Sequence, residues 1–127
     1  MKYIGIDYGT SRIGIALSDE DATFAFPRTI LNERKALTEI VRLCAQEDIG
    51  GIVMGYSIAS NGAENDVGTA VARFKEKVAR MTSTPIYLER EDFSSVEAHR
   101  YQTKAGDRDD SAAAIILQRY LDRLGTK

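Results

Sequence analysis

The sequence contains one cysteine, one histidine and no long apolar run, and each shortage excludes a class of protein. A single cysteine, Cys44, cannot form an internal disulfide bond, so we expect the chain to work in a reducing cytoplasm. A single histidine, His99, cannot build a zinc site with so few other ligands. No apolar run approaches the roughly 20 residues of a membrane helix. The first residues enter a strand with no secretory cleavage site, which fits the same expectation.

Basic residues are not in excess, since 17 lysines and arginines face 19 acids for a net charge of −2. A nucleic-acid partner would therefore be attracted by local basic residues or by metal ions, and not by the protein as a whole. The 127 residues are 43% apolar and 28% charged, as in ordinary globular proteins. No repeat, low-complexity segment or linker interrupts them, so we expect one domain over residues 1–127.

Three β-strands are predicted at the start of the chain. Residues 2–7, 12–18 and 23–30 are rich in strand-forming residues, and the first two segments enclose a tight turn through Gly9. Pro27 lacks the N–H group that a central strand would need. We therefore expect the third strand to lie at an edge of the sheet.

Helical spacing then alternates with short strands. Asn32 is expected to cap a first helix that Gly50 and Gly51 close, before a buried strand over 52–54. The later elements are a helix with apolar residues from Val67 to Met81, a strand over 86–89, a helix over 94–103 and a last helix over 109–124. This order predicts an α/β, ribonuclease H-like fold: a five-stranded mixed sheet, three antiparallel strands and then two parallel ones, flanked by helices.

Three acids are placed where such a fold binds ligands, beyond the carboxyl ends of its strands. Asp7 ends the first strand, Glu91 lies just past the fifth, and Asp109 opens the last helix. Carboxylates held together repel one another unless cations neutralise them. A pair of Mg²⁺ ions bound by few carboxylates and several waters is a common solution in phosphodiester cleavage, with one ion activating water and the other stabilising the leaving oxygen.

Each acid also has a simpler interpretation. Asp7 could cap its own turn, and Glu91 belongs to a charged run of the kind found in solvated loops. Asp109 and Asp110 are good N-cap residues for an alanine-rich helix. Taken one at a time, these residues do not decide between a structural role and a metal site.

Four motifs in a fixed order resemble the YqgF family, whose members carry the names pre-16S rRNA nuclease and RuvC-like Holliday junction resolvase. The segment Gly5–Asp19 is similar to the family pattern G-I-D-x-G-T-x-R-I-G-V-A-x-S-D. Gly55 and Gly62 keep the spacing of its glycine motif, and residues 90–98 and 109–118 resemble its two later motifs. The resemblance covers the whole chain.

The resemblance implies a Mg²⁺-dependent endonuclease, with Mn²⁺ as an alternative ion, that acts on structured RNA such as a ribosomal RNA precursor. It assigns catalysis and metal binding to Asp7, Glu91 and Asp109. The candidate substrate-binding residues are Thr10, Ser11, Arg12, Asn61 and Gly62. Ordinary structure accounts for these as well, a strand surface for the arginine and a turn for the Asn-Gly pair.

The chain departs from the family at three places. Arg90-Glu91-Asp92 stands where the family has Asp-Glu-Arg, so the central acid is kept while its neighbours are exchanged. Tyr56-Ser57 replaces the Leu-Pro of the glycine motif, and the stretch between the last two motifs is short and less basic than in many relatives. These differences bear on substrate choice and leave a loss of activity open.

Three functions follow from these observations. The first is the RNA-processing nuclease, with a branched-DNA resolvase as the alternative that uses the same chemistry. In either case we expect a monomer or a homodimer. The second is an ATPase of the sugar-kinase or actin type, because residues 7–10 also resemble that phosphate loop; such enzymes pair two domains, and this chain has room for one. The third is a non-catalytic nucleic-acid-binding relative, which the altered third motif and the acidic balance favour.

Overall fold

Five β-strands form one mixed sheet in the computed structural model, which describes residues 1–9, 11–57, 64–91 and 109–125. The strands are β1 (Lys2–Asp7), β2 (Ile13–Ser18), β3 (Ala25–Leu31), β4 (Ile49–Ser57) and β5 (Ile86–Glu91). The helices are α1 (Glu33–Gln46), α2 (Glu64–Met81) and α3 (Asp109–Gly125). The helix predicted over 94–103 lies outside the described residues.

The strand order β3-β2-β1-β4-β5 confirms the predicted ribonuclease H-like sheet. β2 is antiparallel to both β1 and β3, whereas β4 is parallel to both β1 and β5. Strand β3 lies at an edge, as its proline predicts. Among the described helices, none is long and apolar enough to cross a membrane.

Alternating residues give the sheet two apolar faces, because successive side chains of a strand point to opposite sides. One face packs against α1 and α2, with Ile4, Ile6 and Met54 fully buried in that layer. The other face packs against α3 through Ala16 and Val53. The central strand β1 is therefore covered on both sides, which holds the residue at its end in a rigid frame.

The predicted end of the first helix is wrong. Helix α1 ends at Gln46 with Glu47 as its C-cap, and Gly50 and Gly51 lie inside β4. Packing explains the glycine at position 51, because a Cβ there would lie 2.8 Å from Tyr3 Cε2 and 2.9 Å from a ring carbon of Tyr87. The glycine makes room for two aromatic rings on the sheet and does not stop a helix.

The predicted cap of α1 is confirmed. Asn32 has extended backbone angles, and its side-chain oxygen Oδ1 accepts the Lys35 N–H at 2.9 Å. This bond satisfies one of the amide groups that the first turn of a helix leaves without an internal partner. It also defines where α1 begins relative to β3, since Asn32 directly follows the last residue of that strand.

Replacing Asn32 with alanine is expected to lower the free energy of unfolding by about 1 kcal/mol, because one N–H group of α1 loses its acceptor. Chemical denaturation measures the change, and Asn32→Asp should keep most of the stability. Thr38→Ala is the matched control on the same helix, since its hydroxyl donates only to the Arg34 carbonyl at 3.2 Å. An alanine variant as stable as the parent would show that the cap contributes nothing.

Candidate active site at the carboxyl edge of the sheet

The carboxyl ends of β1, β4 and β5 meet at one side of the sheet, which we call the carboxyl edge. Asp7, the last residue of β1, is level with Gly55 of β4, and Gly55 is level with Glu89 of β5. Glu91, the last residue of β5, lies two residues further along and pairs with Ser57. Strands are spaced by almost 5 Å, so Asp7 and Glu91 are separated laterally by about 10 Å.

Helix α3 brings the third predicted acid to the same edge. Its Tyr120 ring lies 5.8 Å from the ring of Tyr3, whereas its Ala113 lies over Gly5, so α3 runs antiparallel to β1. Asp109 begins the helix one turn before Ala113, a rise of about 6 Å. Asp7 lies two strand residues beyond Gly5, about 7 Å in the same direction. The start of α3 is therefore at the level of Asp7.

Two glycines set how closely α3 approaches the sheet. A Cβ on Gly5 would lie 2.6 Å from Leu117 Cβ and 2.9 Å from the Ala113 carbonyl oxygen. A Cβ on Gly55 would lie 2.6 Å from Ile116 Cδ1. Side chains at these positions would push the helix outward, since carbon atoms pack best about 3.5–4.0 Å apart. Because glycine has no side chain at either position, the start of α3 can lie close to the end of β1.

The opposite side of the carboxyl edge is held by a polar chain of contacts. Tyr8, next to Asp7, is 8% exposed, and its hydroxyl donates to Glu33 Oε1 at 3.4 Å. Lys77 of α2 donates to the other oxygen of Glu33 at 2.6 Å. Burial, and then the Glu33 carboxylate, raise the pKa of Tyr8, so its hydroxyl stays a neutral donor. These contacts tie the end of β1 to α1 and α2.

The predicted site residues divide into those that the structure places and those that it does not. Asp7 is half-buried at the end of β1, and Ser11 and Arg12 are exposed in the connection to β2 at the same edge. For Glu91 and Asp109 the structure places the backbone at this edge. Thr10, Asn61 and Gly62 lie outside the described residues. The catalytic and binding roles of all eight stay predictions.

The donors at the carboxyl edge fit a hard cation. Asp7, Glu91 and Asp109 would all offer carboxylate oxygens, which Mg²⁺ prefers. Cys44 lies in the last turn of α1, at the other end of the sheet, where its sulfur accepts the Thr84 hydroxyl at 3.5 Å. Among the side chains that the structure describes, no three His, Cys, Asp or Glu residues lie close enough together to hold a metal ion.

Two basic residues at this edge were not among the predicted site residues. Arg34 and Lys35 belong to the first turn of α1, and both are exposed. The Asn32 cap predicts that a helix starts here, but it does not predict that this helix start lies at the carboxyl edge. Which cations are already bound to acids is visible only in three dimensions.

Comparison with known proteins identifies relatives along nearly the whole chain. Residues 1–123 match the family model described as "RuvX: Holliday junction resolvase". A protein of Oleidesulfovibrio alaskensis named "Putative pre-16S rRNA nuclease" is 36% identical over 96% of this chain and 92% of its own length. A protein of Chloroflexus aurantiacus with the same name is 32% identical over 94% of this chain and 85% of its own length.

Solved structures resemble the fold at much lower identity. The structure titled "T. thermophilus RuvC in complex with Holliday junction substrate" has a TM-score of 0.65 at 13% identity, covering 99% of this chain and 97% of that one. A second Thermus thermophilus RuvC structure has a TM-score of 0.61 at 14% identity, with 99% and 98% coverage. At these identities the likeness shows the fold alone.

Proposed function

Because this chain belongs to the RuvX family, also called YqgF, we propose that it is a Mg²⁺-dependent endonuclease that processes the 5′ end of pre-16S rRNA. The family and the named relatives support a nuclease that hydrolyses phosphodiester bonds. Within the structure, one observation carries the proposal: Asp7, the end of β5 at Glu91 and the start of α3 at Asp109 share the carboxyl edge.

The protein's contribution to the reaction is charge and position. Asp7, Glu91 and Asp109 would hold the metal by carboxylate oxygens. Bound Mg²⁺ would supply positive charge against the charge that develops on the phosphate, and would make a bound water more acidic. Asp7 ends a strand that is covered on both faces, so its backbone is held in place before substrate binds. Arg12, exposed at the same edge, is suited to contact a phosphate oxygen of the bound strand.

Branched DNA is the second candidate substrate. The observation that favours it is the fold, which is shared with a RuvC solved in complex with a Holliday junction. Metal-assisted hydrolysis acts on the phosphodiester group, which RNA and DNA have in common. The carboxyl edge therefore serves either backbone, and the choice depends on contacts further from the scissile bond.

A cleavage assay on precursor rRNA, a four-way DNA junction and linear duplexes tests this proposal. We expect cleavage of the precursor RNA in Mg²⁺, slower or no cleavage of the junction, and none of either in EDTA, since the acids alone cannot offset the phosphate charge. Cleavage that persists in EDTA would contradict the metal dependence. Junction cleavage that exceeds RNA cleavage would favour the resolvase, and binding without cleavage of any substrate would favour a non-catalytic module.

A further inference from the structure

Several cations in the described part of the chain form ion pairs with a carboxylate. The pairs are Lys2 with Glu47, Arg28 and Arg42 with Glu39, Lys77 with Glu33, Arg80 with Glu76, and Arg123 with Glu89. Arg34 and Lys35 differ from these: both side chains are exposed, and neither forms an ion pair within the described ranges. We call these two adjacent residues the basic turn.

The basic turn lies at the carboxyl edge. Leu31, the last residue of β3, pairs with Ile13, the first residue of β2, so the start of α1 is beside Arg12. The next residue of β2, Gly14, pairs with Asp7. Asp7 in β1 is therefore two strand spacings, about 10 Å, across the sheet from β3, the strand that leads into the basic turn.

The acids near the basic turn are already compensated. Lys77 neutralises Glu33 at 2.6 Å, and Arg28 and Arg42 both bind Glu39 at 2.7 Å. Burial raises the pKa of Glu39, but the bonds from the two arginines outweigh it and lower the pKa below its ordinary value, so the carboxylate stays ionised. The basic turn is thus surplus positive charge at the amino end of a helix, whose dipole has the same sign.

We propose that the basic turn binds backbone phosphates of the substrate strand on the β3 side of the bond that is cut at Asp7. This rests on the proposed function and adds to it the side from which the strand enters. Arg12 lies between the two places, so the three cations follow one path across the ends of β1, β2 and β3.

Phosphate contacts of this kind supply affinity and not chemistry, which gives the proposal a specific signature. Removing two such contacts should weaken binding and raise KM while leaving kcat unchanged. It should also reduce the salt dependence of binding, because each neutralised phosphate of a single strand adds about 0.7 to the slope of log K against log salt.

The test compares Arg34→Ala/Lys35→Ala with the parent protein. RNA binding is measured by fluorescence anisotropy at several KCl concentrations without divalent ions, and KM and kcat are measured in Mg²⁺. We expect Kd and KM to rise about tenfold at 0.1 M salt, the salt slope to fall by about 1.4, and kcat to change less than twofold. Arg34→Lys keeps the charge and should retain most of the affinity.

A matched control removes the same charge elsewhere. Lys2 is the first residue of β1, and Arg80 lies in the last turn of α2, so both lie at the end of the sheet opposite Asp7. Lys2→Ala/Arg80→Ala also removes two positive charges and should leave the salt slope unchanged. Equal effects of the two double variants would overturn the proposal, because the change would then reflect net charge alone.

The remaining outcomes separate this inference from the proposed function. If the parent protein binds and cleaves RNA while the basic-turn variant keeps its affinity and salt slope, the inference is wrong and the function stands. If the parent binds neither RNA nor a four-way junction, both are wrong. Circular dichroism and denaturation of each variant check folding, and Arg34→Gln/Lys35→Gln repeats the charge removal with longer side chains.

Discussion

Substituting asparagine for Asp7 is expected to reduce Mg²⁺-dependent cleavage by about 10³-fold or more, which corresponds to about 4 kcal/mol of transition-state stabilisation. Asparagine has almost the same size and shape but carries no charge, so it is a much poorer ligand for a hard cation. Asp7 is the last residue of the central strand, between β2 and β4. No neighbouring residue can take its place without a shift in the register of the sheet.

The same variant should remain folded and should bind RNA at least as well as the parent. Loss of one negative charge at the carboxyl edge reduces repulsion of the phosphate backbone. Cleavage, RNA affinity and chemical denaturation are measured together. Asp48→Asn makes the same change at the opposite end of the sheet, where the Asp48 side chain is 84% exposed, and should leave all three unchanged. Cleavage by Asp7→Asn at the parent rate would exclude a catalytic role for Asp7.

The sequence predicts the fold well where local rules decide it. Alternation of apolar residues predicts the strands, the Asn32 cap predicts the start of α1, and Pro27 predicts that β3 lies at an edge. The prediction fails at Gly50 and Gly51, because the pair looks like a helix stop. The second of these glycines is required by Tyr3 and a second ring from β5, and such long-range packing is invisible in a single sequence.

The candidate site is also predicted only in part, because the sequence shows which strands end together but not which charges pair. Parallel strands end at the same edge, so strand order alone brings Asp7 and Glu91 together. The pairing of Ser57 with Glu91 shows that the fifth strand extends to this acid, two residues beyond the predicted end. The basic turn was not predicted, because Glu33-Arg34-Lys35 reads as an ordinary charged helix start. Only the ion pairs of the folded chain show which of its charges are already compensated.

Substituting alanine for Gly5 is expected to lower both stability and activity, because the new methyl group meets atoms that cannot move aside. Leu117 Cβ would be 2.6 Å away and the Ala113 carbonyl oxygen 2.9 Å away, and both atoms move only with α3 itself. Overpacking of this kind costs about 3 kcal/mol of unfolding free energy. Relief requires α3 to shift by about 1 Å, and a displacement of that size at a reacting group can cost about 100-fold in rate.

Gly55→Ala tests the same idea with a rescue, because the clash is with a side chain. Its Cβ would lie 2.6 Å from Ile116 Cδ1, so Ile116→Ala removes the obstacle. The loss of unfolding free energy in the double variant should be smaller than the sum of the losses in the two single variants. We expect this difference, the coupling energy, to be about 1 kcal/mol or more. Additive costs would mean that the methyl group and Ile116 do not compete for one space.

Gly51→Ala is a control that distinguishes the effect of moving α3 from the effect of overpacking elsewhere in the sheet. It is on the same strand, but the atoms that its Cβ would meet are ring carbons of Tyr3 and Tyr87, the latter 38% exposed and able to swing outward. It lies four residues from Gly55, about 13 Å from the carboxyl edge. A stability cost of about 1 kcal/mol with full cleavage activity is expected. If Gly5→Ala and Gly51→Ala both lose cleavage activity only in proportion to their loss of stability, α3 does not position the site. If Gly5→Ala alone loses more activity than its stability explains, α3 does position the site.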